Sequence, residues 1–275
     1  MKTKIFVCSN SGIDYMPHSV NIKSIPVILH FSEEEQYEDY LDVSIDAFYS
    51  RMRFDENADI KPMFQTYVKL CEYIDEAKKD DYQQVLFILA AKDFSDLLIP
   101  TQIAVSENKD IPCYIYHSNT ISYPLAYMAN EADNMLIGGA NILEVFERLD
   151  FIKENHKLLF FAPDCIDENI KSFKNKYQNG KLFTLEDGKL IEIKSKNCSS
   201  YNKLIRTIFD ETYNYEAVIF SLYTDKTSVY INLFDKSLSE LTGDFKKIKS
   251  YPITPGVGLN IASYAVGMGY IIKKW

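Results

Sequence analysis

Val85-Leu86-Phe87-Ile88-Leu89-Ala90 is an unbroken apolar run, and its reading decides the fold. A continuous apolar stretch of this length suits a strand buried on both faces, as in a parallel sheet. Three further runs share the character: Lys4-Ile5-Phe6-Val7-Cys8, Ile25-Pro26-Val27-Ile28-Leu29 and Cys113-Tyr114-Ile115-Tyr116. Helix-like stretches lie between them, at Ser44 to Arg53, Met63 to Lys78, Ser95 to Ser106 and Ser122 to Leu136. Within Met63 to Lys78, Tyr67, Leu70, Cys71, Ile74 and Ala77 fall on one stripe, with Lys69, Glu72, Asp75 and Lys78 largely elsewhere. Strand and helix in alternation predict a three-layer α/β domain with a mostly parallel sheet.

Around Gly138-Gly139 the pattern changes. Ile142 to Lys153 reads as a connecting helix and Lys157 to Phe161 as a strand. Leu182 to Ile193 reads as a hairpin around Glu186-Asp187-Gly188, because Asp-Gly supplies the positive φ angles of a tight hairpin turn. Helices follow at Ser199 to Tyr213 and Val229 to Leu241, with strands at Ala217 to Tyr223 and Val266 to Ile272 and an alternating segment from Phe245 to Ile253. The sequence thus predicts two domains: residues 1–150 as the parallel α/β domain, and 151–275 as an α+β domain with antiparallel pairing that closes over the ligand site.

Composition narrows the function. The chain has 275 residues, of which 47% are apolar and 25% charged, the balance of an ordinary globular protein. A net charge of −9 repels phosphate backbones, and the basic cluster Lys246-Lys247-Ile248-Lys249 is too short to reverse that, so nucleic acid is not expected as a partner. No apolar run reaches the length of a membrane span, so no stable membrane insertion is expected. The first residues run straight into a strand-like segment without the pattern of a secretion signal. Cys8, Cys71, Cys113, Cys165 and Cys198 are scattered and odd in number, which argues for reduced thiols in a cytoplasm and against a disulfide framework or structural zinc. No cofactor and no metal site are expected.

Open parallel sheets bind ligands beyond the carboxyl ends of their strands, where the strand order reverses. Those ends offer Cys8-Ser9-Asn10-Ser11, Asp93-Phe94-Ser95-Asp96 and His117-Ser118-Asn119-Thr120, with a fourth polar segment at Asp59-Ile60-Lys61-Pro62. Each precedes a helix-like stretch, whose free N–H groups favour an anion such as a carboxylate or phosphate. The same residues have plainer uses: Ser44 and Ser95 as helix caps, Asp59 as a loop acid, His117 as a partly exposed imidazole. One enzyme can be constructed, a Cys8–His117 thiol–imidazole pair with Asp93 orienting the ring. Gly267-Met268-Gly269 has neither a P-loop lysine nor the glycine spacing of a dinucleotide site. In Thr254-Pro255-Gly256-Val257-Gly258-Leu259-Asn260 two glycines would let the backbone approach something closely, or would simply build a tight loop between domains.

Tyr37 followed by Asp42-Val43-Ser44-Ile45-Asp46-Ala47-Phe48-Tyr49 resembles the Tyr…Asp-Ile-Ser-x-x-x-Phe-Tyr segment of the DegV family of bacterial fatty-acid-binding proteins. The likeness continues through Pro62, the Val85 to Ala91 strand with Phe94-Ser95, Tyr116-His117-Ser118-Asn119-Thr120 and Gly267-Met268-Gly269-Tyr270. The resemblance implies a two-domain fold holding one long-chain fatty acid in the interior, carboxylate at the domain junction. It further implies a non-catalytic carrier that presents the carboxylate to a separate fatty-acid kinase. Carried over position by position, the family's Thr-Ser-Gln-Pro falls on Asp59-Ile60-Lys61-Pro62 and its Ser-Gly-Thr on Ser95-Asp96-Leu97. Its Asp-Ser-Thr falls on Ser9-Asn10-Ser11, its later Asp-Ser on His117-Ser118, and its carboxyl-terminal histidine on Asn260. Its kinase-docking arginine falls near Lys196 to Ser200, where the sequence has none. The ligand-binding residues expected are Ser95, Asp59, Lys61, Ser11, Ser118, Gly256, Gly258 and Asn260. The alternative is a divergent member that has lost acyl binding and takes another small ligand or a protein partner.

Overall fold

The structure, a computed structural model, describes residues 1–55, 59–163, 180–193, 201–224, 229–242 and 248–274. Cys165, Cys198, the Lys196 to Ser200 segment and the Lys246-Lys247 pair lie outside the described residues.

The first half contains β1 (Thr3–Cys8), β2 (Ile22–Ile25), β3 (Ile28–His30), β4 (Gln36–Glu38), α1 (Ile45–Phe54), β5 (Lys61–Met63), α2 (Tyr67–Lys79), β6 (Gln84–Leu89), α3 (Leu98–Glu107), β7 (Cys113–His117), α4 (Ser122–Ile137) and α5 (Ile142–Glu154). A four-stranded sheet in the order β2-β1-β6-β7 is parallel throughout. Its centre is aromatic, with Phe6 stacked between Phe87 (5.2 Å) and Tyr73 of α2 (5.4 Å). Helix α2 packs against α3 and α4 against α5 to form the flanking layers. Ser44 caps α1 by accepting from the Ala47 N–H, and Asn141 with Glu144 forms a reciprocal capping box on α5.

Three expectations need correction here. Ile25 to Leu29 is not one strand: Ile25 ends β2 of the parallel sheet, while Ile28 opens β3 of a separate antiparallel sheet, β4-β3-β5. Pro26, which lacks an N–H for a ladder, stands at the break. Met63 belongs to β5, and the helix begins only after Thr66, whose side chain accepts from the Lys69 N–H. Ser95 does not cap α3, which starts at Leu98; its hydroxyl accepts from the Leu97 N–H instead.

The second half contains β8 (His156–Pro163), β9 (Gly180–Glu186), β10 (Lys189–Glu192), α6 (Tyr201–Thr212), β11 (Ala217–Tyr223), α7 (Val229–Thr242), β12 (Lys249–Pro252), α8 (Pro255–Ile261) and β13 (Val266–Ile272). Six strands pair in the order β10-β9-β8-β13-β11-β12, antiparallel except for β11 with β12. Strand alternation gives this sheet two apolar faces. Leu158 and Phe160 join the core that runs back into the first half, while Leu159 and Phe161 join a separate core with Leu204, Ile208 and Phe234 of α6 and α7. Across the first of these, Tyr123 of α4 stacks on Tyr251 (4.3 Å) and meets Phe220 (4.7 Å). The hairpin turn carries positive φ at Asp187 and Gly188, as its sequence demands. Gly188 packs on Ala91 and Asn119, so the turn rests on the carboxyl end of the parallel sheet. Thr254 to Asn260 is not a loop: Pro255 opens the short helix α8, a position where its missing N–H costs nothing. Among the described residues, no helix is long and apolar enough to cross a membrane.

Candidate functional site

The strand order β2-β1-β6-β7 reverses direction between β1 and β6, and the crevice beyond their carboxyl ends is where such a sheet admits a ligand. Beyond β1 the chain makes a tight turn through Ser9–Ser11, closed by Gly12 at φ 71. Beyond β6 a second turn, Lys92–Phe94, leads to Ser95. Helix α8 lies over both turns and makes the roof of a buried seam.

Two glycines make that roof fit. A Cβ on Gly256 would stand 2.2 Å from Asn10 Oδ1, and one on Gly258 would stand 2.0 Å from Tyr49 Oη. Asn10 Nδ2 donates to the Phe94 carbonyl (2.7 Å), which ties the two strand-end turns together. Tyr49 Oη donates to the Ile253 carbonyl (2.9 Å) and reaches the Thr254 carbonyl (3.3 Å), anchoring the approach to α8. Ser9 Oγ accepts from the Val27 N–H (3.0 Å) and donates to Asp39 Oδ2 (3.0 Å). Of the eight buried side-chain polar atoms without a hydrogen-bond partner among the described residues, three belong to residues of this junction: Asn10 Oδ1, Thr254 Oγ1 and Asp39 Oδ1. Their residues are at most 1% exposed. Buried polar atoms are ordinarily paired, so three orphans at one junction mark it out.

Desolvation governs the electrostatics. Burial pushes the Asp39 carboxyl up to about 7, against the Ser9 hydrogen bond that favours its ionised form. Burial likewise raises Asp14, and raises the hydroxyls of Tyr15, Tyr40 and Tyr49. Burial drives the Cys8 thiol up to about 12. Cys8 is therefore inert near neutral pH, and the constructed Cys8–His117 pair fails on geometry as well. β6 separates β1 from β7, roughly 9 Å at the usual strand spacing, while His117 and Asp93 are exposed.

The expected ligand residues divide into three groups. Ser95, Gly256 and Gly258 come to the seam. Ser11 and Ser118 are buried beside it with hydroxyls already engaged: Ser11 Oγ accepts from the Ile13 N–H (3.2 Å), and Ser118 Oγ donates to the Leu89 carbonyl (2.7 Å). Asp59, Lys61 and Asn260 point away. Asp59 and Lys61 pair with each other at 2.8 Å with side chains 81% and 69% exposed, and Asn260 turns back onto the Gly256 carbonyl (3.2 Å). The seam adds Asn10, Tyr49, Thr254 and Asp39, which the sequence reading did not single out as ligand residues. Asn10, Tyr49 and Thr254 fall within stretches that the sequence singles out, but nothing in the sequence distinguishes Asn10 from Ser11 beside it. Among the described residues no group of three or more His, Cys, Asp or Glu side chains is gathered to hold a metal ion.

A family model described as "Uncharacterised protein, DegV family" matches residues 2–168 of this chain. No curated protein matches it. Among solved structures it is similar to a hypothetical protein of Thermotoga maritima, described as revealing a fatty acid binding function, with a TM-score of 0.77 and 20% identity over 99% of this chain and 100% of that one. It is similar also to a fatty acid binding DegV family protein of Streptococcus agalactiae, with a TM-score of 0.80 and 12% identity over 100% of both chains. A third likeness is to the fatty acid kinase B3 protein of Streptococcus pneumoniae loaded with linoleic acid, with a TM-score of 0.74 and 15% identity over 99% of this chain and 100% of that one. At these identities the likeness is one of fold.

Proposed function

The chain belongs to the DegV family, and we propose that it is a non-catalytic lipid-binding protein that holds a long-chain fatty acid between its two halves. On this reading the chain divides near residue 150, into an α/β domain of residues 1–150 and an α+β domain of residues 151–275 that closes over the ligand. It works in a cytoplasm where its thiols stay reduced, and it presents the head group to a separate fatty-acid kinase. The head group lies in the seam, where Ser95 and the unpartnered atoms of Asn10 and Thr254 meet, while Ser11 and Ser118 shape the turns around it.

The observation that carries this reading is a connection along one strand. A cavity of about 220 Å³ lies between the six-stranded sheet and α7, lined by Leu222, Tyr223, Ile231 and Phe234 with Ser221, Ser250 and Asp235 at its polar side. Ser250 is in β12, and four residues further on Thr254 enters the seam, a path of about 13 Å for an extended chain. On this reading the head group lies between the two halves and the acyl chain runs into the second half, where four of the seven cavity residues are apolar. Two relatives of the same fold are described as fatty acid binding, and a third carries linoleic acid.

A second reading is favoured by the size of that cavity. About 220 Å³ is below the ~300 Å³ at which ligand pockets usually begin, which suits a chain that has given up acyl binding for another small ligand or a protein partner. Mass spectrometry of the purified protein, native and after organic extraction, separates the two. A stoichiometric long-chain fatty acid supports the first reading. Empty protein that also refuses added oleate and palmitate establishes the second.

A further inference from the structure

The orientation of one amide decides what head group the seam accepts. Asn10 Nδ2 lies 2.7 Å from the Phe94 carbonyl. Turning the amide over would set two acceptors against each other at that distance, so the carbonyl of Phe94 fixes Oδ1 toward α8. Oδ1 there lies beside the Gly256 backbone and has no partner among the described residues. Thr254 Oγ1, at the residue that precedes α8, is also without one. The seam therefore presents an acceptor from the turn after β1 and, from the residue that caps α8, a hydroxyl able to donate.

The surrounding charges bear the same way. From the β1 side come Cys8, Asp14 and Tyr15; from the β4 side Asp39 and Tyr40; from α1 Tyr49 and Arg53. Lys92 and Asp93 of the turn beyond β6 are exposed, and α8 contains no titratable residue. Arg53, the cation that Tyr49 senses, is spent elsewhere, donating to the Ser263 carbonyl (3.4 Å) and lying over the Tyr264 ring (4.9 Å). Asp39 Oδ1 adds another unsatisfied acceptor. A carboxylate offers acceptors only, so it would meet Asn10 Oδ1 as like against like, near buried acids. A protonated carboxyl offers an O–H for Asn10 and a C=O for Thr254.

Resting on the fatty-acid reading above, we infer that the seam binds the uncharged, protonated form of the acid and discriminates against the carboxylate, with Asn10 as the residue that sets the preference. Ionisation would follow on leaving the seam, before any transfer of the head group to a kinase.

A fatty primary amide copies the protonated carboxyl at every pH, with N–H as donor and C=O as acceptor. Oleamide and oleate are titrated separately into the full-length protein at pH 8. The inference expects oleamide to bind at least tenfold more tightly. It also expects Asn10→Ser, whose hydroxyl is able to donate to a carboxylate, to close most of that gap by raising oleate affinity. Oleate binding as tightly as oleamide to the native protein overturns the inference while leaving the fatty-acid reading in place, and needs no variant to fold. Failure of both amphiphiles to bind removes the fatty-acid reading itself and this inference with it.

Discussion

Tyr49 and Gly258 are matched across the two halves of the chain: a Cβ on the glycine would stand 2.0 Å from the tyrosine hydroxyl. That hydroxyl also donates to the Ile253 carbonyl (2.9 Å), so α1 holds α8 by close contact and by hydrogen bond together. Tyr49 is fully buried, and the same Cβ would stand 2.7 Å from two of its ring atoms, leaving a methyl group nowhere to go. Gly258→Ala is expected to cost about 1–3 kcal/mol in urea unfolding, the usual range for overpacking. Tyr49→Phe is expected to cost about 1 kcal/mol by leaving the Ile253 carbonyl unpaired. Because the residues touch, the double variant should lose less than the sum of the two. Strict additivity would mean that α8 does not sit against α1.

The neighbouring glycine separates binding from stability. A Cβ on Gly256 meets the end of a short side chain, Asn10 Oδ1 at 2.2 Å, which turns aside more readily than the buried Tyr49 ring that Gly258 faces. Gly256→Ala is therefore expected to displace Asn10 from the seam and lower oleamide affinity at least fivefold while leaving oleate affinity unchanged or raised, with a smaller stability loss than Gly258→Ala. Isothermal titration with oleamide and with oleate, set beside urea midpoints of the two variants, checks this. A Gly256→Ala protein with native oleamide affinity would place the head group elsewhere.

Asp59→Thr supplies a contrast. The family's threonine falls on Asp59, and the resemblance alone makes that position part of the head-group site. In the structure the side chain is 81% exposed and paired with Lys61 at 2.8 Å, away from the seam. Asp59→Thr should leave acyl affinity within about twofold, because an exposed pair contributes little and touches no buried atom. A gain of tenfold in a binding titration would show that this loop turns inward when ligand binds.

Cys8 should behave as a core residue. Its thiol is fully buried and pushed up to about 12, while Cys71 is partly exposed with a thiol raised by a lesser burial. Iodoacetamide at pH 7.5, followed by peptide mass spectrometry, should modify Cys71 well before Cys8. Labelling of Cys8 should appear only as urea unfolds the protein, since the thiolate is the reactive form. Early labelling of Cys8 would reopen the thiol chemistry that its burial excludes.

The parts of the fold that could be read from the sequence are those where one physical signal acted alone. Ala217–Tyr223 and Val266–Ile272 are strands with the bounds their apolar runs suggest, and Asp187-Gly188 makes the hairpin turn its φ requirements demand. The β4-β3-β5 sheet was not visible, because Gln36–Glu38 and Lys61–Met63 are short, polar and interrupted by Pro62. In α8 two glycines and a proline suggest a loop, and tertiary packing against Asn10 and Tyr49 overrides that local preference. The site was legible only as strand ends. Which side chain at each end turns inward depends on the roof above it, and the roof, α8, lies far along the chain from both strand ends.

Asp39 gives the molecule a stability that depends on pH in a direction opposite to most carboxylates. Burial raises its carboxyl from an ordinary 3.8 to about 7. Between those values the folded chain holds a proton that the unfolded chain has released, so stability falls as pH rises through the window. The penalty is absent below about pH 4 and complete above about pH 7, and Asp14 is shifted in the same direction. Urea unfolding at pH 5 and pH 7.5 should show the native protein losing stability with rising pH, by on the order of 1 kcal/mol per pH unit at most from Asp39. Asp39→Asn keeps an acceptor for the Ser9 hydroxyl and removes the titration, so it should be more stable than the native protein at pH 7.5 and nearly equal to it at pH 4. Parallel profiles for the two proteins would mean that Asp39 is solvated, and the seam with it.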